Sequence, residues 1–429
     1  MLGLLFLGFF LLLVIAMPIA FAMSGSAILA LVLQGQVPLT LVVQRIYAGA
    51  DSFPLLAIPF FIIAGELMTQ SGMTDSLVEL CDALLGHLRS GLASVSILAC
   101  MVFAGISGSG SADAAAIGTV MTPQLVAKGY PKGLAASIIA TAGALGPIIP
   151  PSILMIIYGA IAEESVGKLF LAGFIPGVLI GLGLMGVAYA WNRKRGWESG
   201  SGRRPSLGAM VRALGRAALP LGTPVIIVGG IVGGVFTATE AGVVAAVYAL
   251  AAAILAAGMP LAKIRAALVR SGLLSSLSLF IVSMASIFGW IMAREGFPSL
   301  IADLLLRASG GHRLLAAGYV ILFLLIFGFF VEVIAMMVIF VPVLAPLAPA
   351  LGFDSIHWGL LMVMAMNVGG VTPPVGTNLF IAASIAGCSL GEISHYVMPF
   401  VAIHVVIILL VLVLPGLALW IPGLVFPGR

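Results

Sequence analysis

Two apolar stretches of this sequence are interrupted by a proline pair, and each interruption follows a glycine-led tip at the same distance. The interruptions are Gly146-Pro-Ile-Ile-Pro-Pro-Ser152 and Gly370-Val-Thr-Pro-Pro-Val-Gly-Thr-Asn378. Gly105 opens the tip Gly-Ile-Ser-Gly-Ser-Gly-Ser-Ala-Asp113 and precedes Pro150 by 45 residues. Gly328 opens Gly-Phe-Phe-Val-Glu332 and precedes Pro373 by 45 residues. Lipid cannot satisfy free backbone groups, so a broken helix at membrane depth persists only where protein covers it or it lines a cavity. Interruptions at corresponding places in two halves point to the binding site of a secondary transporter. The surroundings fit a bilayer. The chain is 62% hydrophobic and 8% charged, against about 25% charged residues in a soluble domain.

Hydropathy and helix breakers place crossings at about 1–17, 18–34, 52–72, 132–162, 166–192, 217–235, 240–257, 272–293, 356–385 and 393–421. The first lacks a basic leader and a small-residue cleavage site, so it is expected to be a transmembrane helix, not a signal peptide. Segments 92–128 and 313–350 read as re-entrant hairpins, with arms too short to cross and polar or glycine-rich tips. Segments 74–86 and 298–310 read as amphipathic pieces at the interface. The fold class is therefore an all-α polytopic membrane protein with two hairpins and two broken helices.

An offset of 223 residues carries Gly105 onto Gly328, Pro150 onto Pro373 and Pro176 onto Pro399. The expected organisation is a first repeat at 1–192, a basic linker at 193–216 and a second repeat at 217–429. Five crossings in each half would run the second half upside down relative to the first, an inverted repeat. The linker holds seven basic residues (Arg193, Lys194, Arg195, Arg203, Arg204, Arg212 and Arg216) against one acid, Glu198. Short basic loops stay in the cytoplasm, which leaves 13 basic residues inside, 6 outside and both termini outside. The net charge of +4 is thus a topology signal and does not argue for nucleic acid. The three cysteines, Cys81, Cys100 and Cys388, have no metal-ligand spacing and are assigned to packing.

Each break exposes carbonyls at the end of one half-helix and amides at the start of the next. Carbonyls with oxygens of Ser107, Ser109, Ser111, Thr372, Thr377 and Asn378 suit a small hard cation; amide ends suit a carboxylate. No Lys or Arg falls in the expected core, so an organic anion would lean on amides, hydroxyls and bound cations. Asp113 either favours the positive end of the helix leaving the first tip or handles an ion or proton directly. Glu332 has no such helix-end explanation at the second tip, which leaves it open between a structural and a functional role. Glu240, after Thr237-Ala-Thr239, reads as a first-turn acid; Glu66 and His404 read as packing or snorkelling residues.

At these motifs the sequence resembles the large membrane subunit of the tripartite ATP-independent periplasmic (TRAP) transporters, the DctM-like family. The matching stretches are Gly105–Gly118, Gly146–Ile153, Ser165-Val-Gly-Lys-Leu-Phe170, Gly234-Val-Phe-Thr-Ala-Thr-Glu-Ala241 and Val371–Phe380, in family order over nearly the whole chain. The resemblance implies an elevator transporter with scaffold and transport domains. It implies Na+ as coupling ion with no other cofactor, a four-helix small membrane subunit (DctQ-like) and a periplasmic substrate-binding protein (DctP-like). Its substrates would be C4-dicarboxylates, sialic acid or other organic acids, imported across a bacterial inner membrane. The length fits a large subunit not fused to the small one.

Carried over by position, the first cation site would use Ser107, Gly108, Ser109 and the break from Gly146 to Pro150. The second would use the tip ending in Glu332 with Gly370, Thr372 and Gly376. The substrate would lie against Ser109, Ser111, Asp113 and Pro150 on one side. Ser152, Thr377 and Asn378 would complete its surroundings. The second tip's Phe329-Phe330 offers no hydroxyl, so its ligands would be carbonyls or Glu332.

Two rivals remain. A stand-alone ion-coupled citrate or dicarboxylate symporter would share the architecture but need no binding protein. An intramembrane serine protease would use Gly105-Ile-Ser-Gly108 as a nucleophile motif, but it needs a histidine base beside Ser107.

Overall fold

The computed structural model describes residues 1–35, 37–198, 205–374 and 376–426. Arg203 and Arg204 of the linker lie outside the described residues. The described chain is all helical. Local sequence signals start several helices. Ser389 and Thr237 each form a reciprocal capping box with the glutamate three residues on, Glu392 and Glu240. Glu240 is thus the first-turn acid expected. Ser165, Ser206 and Asp354 accept from first-turn amides of the helices they open.

Among the described residues, six helical segments are long and apolar enough to cross a bilayer: Phe53–Gln70, Val166–Arg195, Leu207–Val232, Ala238–Ala256, Leu261–Arg294 and Leu390–Val413. Several boundaries differ from expectation. The crossing placed at 272–293 begins at Leu261, so Lys263, Arg265 and Arg270 lie on a helix and not in a loop. The crossing placed at 217–235 begins at Leu207, which puts Arg212 and Arg216 on its first turns. The segment 393–421 divides at Pro415 into Leu390–Val413 and Gly416–Val425. A helix at Thr40–Ala50 was not expected at all.

The first hairpin has arms Gly91–Ser107 and Gly110–Ala127, and the second has arms Arg313–Phe327 and Val333–Leu344. The first broken helix comprises Lys132–Gly143 and Ile153–Ala162; the second comprises Ser355–Gly369 and Thr377–Ala386. A ten-residue half-helix such as Ile153–Ala162 rises about 15 Å, half of a hydrocarbon core about 30 Å thick. None of the four half-helices is long enough to cross such a layer alone. The proline pairs of both breaks, Pro150-Pro151 and Pro373-Pro374, are joined by cis peptide bonds.

Helices that start at Met73, Gly91, Gly110, Lys132, Ile153 and Val166 are followed, 222 to 224 residues later, by helices that start at Phe297, Arg313, Val333, Ser355, Thr377 and Leu390. At the centre, Lys132–Gly143 packs against Leu390–Val413, Thr377–Ala386 and both arms of the first hairpin. Small residues allow this crowding. A Cβ on Gly133 would stand 2.6 Å from the Glu392 carbonyl oxygen. Ser355–Gly369 is buried along its length from Ile356 to Gly369.

Candidate functional site

The first tip turns at Gly108, whose φ of +63° lies in the left-handed region. A Cβ there would also approach the Pro151 carbonyl oxygen to 2.6 Å. Ser107, the last residue of the first arm, donates its hydroxyl proton to the Asp113 carboxylate and accepts from the Ser109 N–H at 3.1 Å. The Ser109 and Ser111 hydroxyls lie 3.2 Å apart. Asp113 is fully buried in the first turn of the second arm, where a negative charge complements the helix dipole. Its side chain meets Ser107 and not a first-turn amide. The other carboxylate oxygen, Oδ2, has no hydrogen-bond partner among the described residues.

The first break is fastened to this tip. Ile153 donates its N–H to the Gly108 carbonyl at 3.2 Å. Gly146 lies against Asp113 Oδ2, and a Cβ there would be 3.0 Å from the Gly110 nitrogen. Ser152, placed with the substrate in the sequence reading, is fully buried and engaged in the break itself. Its hydroxyl donates to the Pro147 carbonyl at 2.6 Å and accepts from the Met155 N–H at 3.2 Å. The Pro150 carbonyl oxygen faces the first arm, 3.7 Å from where a Cβ on Gly105 would stand.

The second break is closed by Asn378, which donates its N–H to the Gly370 carbonyl at 3.0 Å, and by the Gly376 N–H on the Thr372 carbonyl at 3.3 Å. The Thr372 hydroxyl returns to Val368 at 2.7 Å. The Asn378 amide reaches the first break, donating to the Ala140 carbonyl at 3.5 Å, and lies 3.0 Å from where a Cβ on Gly110 would stand. Ser107, Gly108, Ser109, Asp113 and Gly146 thus form one cluster, and Asn378 joins it to the group of Gly370, Thr372 and Gly376. Ser111 and Thr377 are exposed on the flanks of these clusters.

The second tip differs. Gly328 packs directly on the Gly369 backbone. The Glu332 carboxylate accepts from the Ala335 N–H at 3.1 Å, capping its own arm. It shares no hydrogen bond with Gly370, Thr372 or Gly376. One functional candidate escaped the sequence reading. Asn367, buried in the last turn of Ser355–Gly369, donates its amide to the Ala144 carbonyl at 2.6 Å. The available signal was an amide among Met364, Met366 and Val368, since polar side chains at membrane depth are costly without a role.

Among the described residues no three His, Cys, Asp or Glu side chains converge as metal ligands. A cation here would be held by hydroxyl, carbonyl and Asp113 oxygens, a hard donor set suited to an alkali ion. His404 donates its Nε2–H to the Thr141 carbonyl, 3.2 Å away, while the Ser107 hydroxyl is committed to Asp113. Ser107 and His404 are not arranged as a nucleophile and its base.

At the opposite end of the first hairpin, Glu198 clamps the base. Both carboxylate oxygens accept from the Leu92 N–H at 3.2 Å, and the Tyr130 hydroxyl donates to one of them at 3.2 Å. Asn192 holds the Glu198 backbone by two further bonds. Burial raises the Glu198 carboxyl above its ordinary value, and burial pushes the Tyr130 hydroxyl up to about 12.

The sequence family described as the tripartite ATP-independent periplasmic transporter, DctM component, matches residues 6–417. The chain is 40% identical to the C4-dicarboxylate TRAP transporter large permease protein DctM of Pseudomonas aeruginosa, over 88% of each chain. It is 34% identical to the sialic acid TRAP transporter large permease protein SiaM of Vibrio cholerae, over 99% of this chain and 97% of that one. It is 39% identical to the isethionate TRAP transporter permease protein DctMQ of Oleidesulfovibrio alaskensis over 97% of its own length, but spans only 65% of that relative. Among solved structures, the YdaH transporter of Alcanivorax borkumensis shares the fold, with a TM-score of 0.62 over 90% of this chain and 88% of that one at 13% identity.

Proposed function

The chain belongs to the DctM component family of tripartite ATP-independent periplasmic transporters, and from that membership we propose a sodium-coupled, binding-protein-dependent importer of organic acids. It is a transporter subunit, not an enzyme. The observation that carries the sodium reading is the first cluster: a buried carboxylate oxygen without a partner, a serine hydroxyl and a broken helix held together at membrane depth. Such a cluster suits one positive charge and excludes a second negative one.

In this reading a sodium ion sits among Ser107, Gly108, Ser109, Asp113 and Gly146, and another at Gly370, Thr372 and Gly376. The cations neutralise the carbonyl ends and Asp113. An organic carboxylate then binds beside them against Ser109, Ser111, Thr377 and Asn378, using hydroxyls and amide ends in place of basic side chains. Ser152 and Pro150 shape the break without direct contact, and Glu332 caps its arm. The names of the relatives, which include C4-dicarboxylate, sialic acid and isethionate carriers, support this substrate class.

The recurrence of helix starts supports an inverted repeat in which 1–192 and 217–429 are opposed halves joined by a cytoplasmic basic linker. The two hairpins and broken helices would then move as a transport domain against the remaining helices in an inner membrane. The partners are a four-helix small membrane subunit and a periplasmic binding protein. The test is uptake of a radiolabelled organic acid into proteoliposomes holding both membrane subunits, with and without the binding protein. Uptake only with the binding protein supports the tripartite reading. Uptake by this chain alone would replace it with a stand-alone symporter.

A further inference from the structure

The last four carbonyls of a helix have no partner within it, and those of Lys132–Gly143 point toward the first break. The Ala142 and Gly143 carbonyls are taken locally, by the Leu145 and Gly146 N–H groups at 3.1 and 2.9 Å. Others are taken from the far half of the chain: Thr141 by His404, Ala140 in part by Asn378, and Ala144, the residue at the helix end, by Asn367. The Asn367 bond is the shortest of these, at 2.6 Å between buried groups.

Its position is unusual. Asn367 and Ala144 are 223 residues apart, the offset that superposes the two proline breaks. Asn367 therefore bonds the backbone of its own counterpart. In a two-fold arrangement a residue touches its image only beside the axis, so this bond sits where the two broken helices meet. Ala144 has no side-chain donor to return, its own N–H being given to the Ala140 carbonyl at 3.3 Å, and the tie rests on one side chain.

The tie is also continuous with the second break. Asn378 donates its N–H to the Gly370 carbonyl at 3.0 Å, and Gly370 donates its own N–H to the Asn367 carbonyl at 3.0 Å. The Asn367 side chain then grips Ala144. An unbroken run of hydrogen bonds leads from the restart of one broken helix to the carbonyl end of the other.

We propose that Asn367 is a positioning residue that couples the two breaks, so that a cation bound at the second sets the carbonyl geometry offered to a cation at the first. This rests on the reading of the breaks as cation sites. Spatial continuity alone does not establish coupling; a change in linkage does. Coupling between sites typically amounts to about 5- to 150-fold in affinity and is reciprocal.

The experiment is a sodium titration of uptake by the complete transporter, read as Hill coefficient and half-activating concentration, alongside Tm in detergent. The variants are Asn367→Leu, which removes the donor at similar volume, and Asn367→Ser, whose hydroxyl is too short to span the gap and whose packing cost differs. His357→Phe serves as control, since it loses a buried bond of similar kind, from His357 to the Val411 carbonyl at 2.8 Å, away from both breaks. Cooperative wild-type activation is expected to fall toward a Hill coefficient of about one in both Asn367 variants, with half-activation raised at least about 5-fold. His357→Phe should lower Tm and leave cooperativity unchanged. Wild-type cooperativity retained in either folded Asn367 variant, or lost equally in His357→Phe, overturns the coupling role alone. A wild type indifferent to sodium overturns the cation reading and the coupling with it.

Discussion

Ile153 donates its backbone N–H to the carbonyl of Gly108 at 3.2 Å, and through this bond the restart of the first broken helix hangs on the turn of the first hairpin. The bond needs Gly108 twice over. Its positive φ aims the carbonyl, and its missing Cβ leaves room for Pro151.

Gly108→Ala should therefore destabilise the protein by about 1–3 kcal/mol, the usual cost of overpacking and a forced left-handed residue. The measurement is Tm in detergent compared with Gly186→Ala, where a Cβ meets nothing within 4 Å. Equal melting of the two variants would mean that tip and break are not fastened as described.

Ser107→Ala removes the hydroxyl that holds the buried Asp113 carboxylate. It should raise the sodium concentration for half-maximal uptake at least about tenfold, equivalent to about 1.4 kcal/mol, the scale of one hydrogen bond to a charged group. Unchanged sodium dependence in a folded variant would remove Ser107 from the first site.

Asp113→Asn keeps the size of the side chain and deletes the charge. Because Asp113 Oδ2 has no protein partner, the amide should preserve Tm within a few degrees yet abolish uptake driven by a sodium gradient. Retained sodium-driven uptake would show that Asp113 serves only the helix end.

Glu198, outside the spans, carries a pH signature. Its carboxyl is raised by burial, so the protonated form is the one the fold favours. The stability it contributes is full below the ordinary glutamate pKa of about 4.3 and is lost as pH rises through the raised value. Glu198→Gln, which still accepts from Leu92, should match wild type near pH 4 and melt at a higher temperature than wild type by pH 7. A gap that widens toward acid would reverse the sign and exclude burial as the dominant cause.

Much of the site was legible because it depends on local backbone chemistry. Proline pairs, glycine tips and the constant spacing between them declare broken helices in a bilayer, and Thr237–Glu240 and Ser389–Glu392 declare helix starts. What escaped depended on distant partners. Thr40–Ala50 contains Val42, Val43 and Ile46 around a lone Arg45, a weak helical signal. It is held by Ser283 and Ser286 hydroxyls on the Ile46 and Arg45 carbonyls, each at 2.5 Å, and by Arg45 over Trp290. Asn367 was missed for the same reason, since its acceptor lies in the other half of the chain. Glu332 stands with the second cation site in the sequence because its tip lacks hydroxyls, and the structure adds that its carboxylate accepts from the Ala335 N–H.

The most direct measurement is uptake of a radiolabelled C4-dicarboxylate into proteoliposomes holding this chain and its small subunit, with the loaded binding protein outside. An inward sodium gradient and an inward proton gradient would be imposed separately. A sodium-coupled permease will accumulate substrate under the sodium gradient and not under the proton gradient, and Ser107→Ala will blunt that accumulation. Accumulation driven by protons alone, indifferent to sodium, would contradict it and transfer the coupling to Asp113 as a proton carrier.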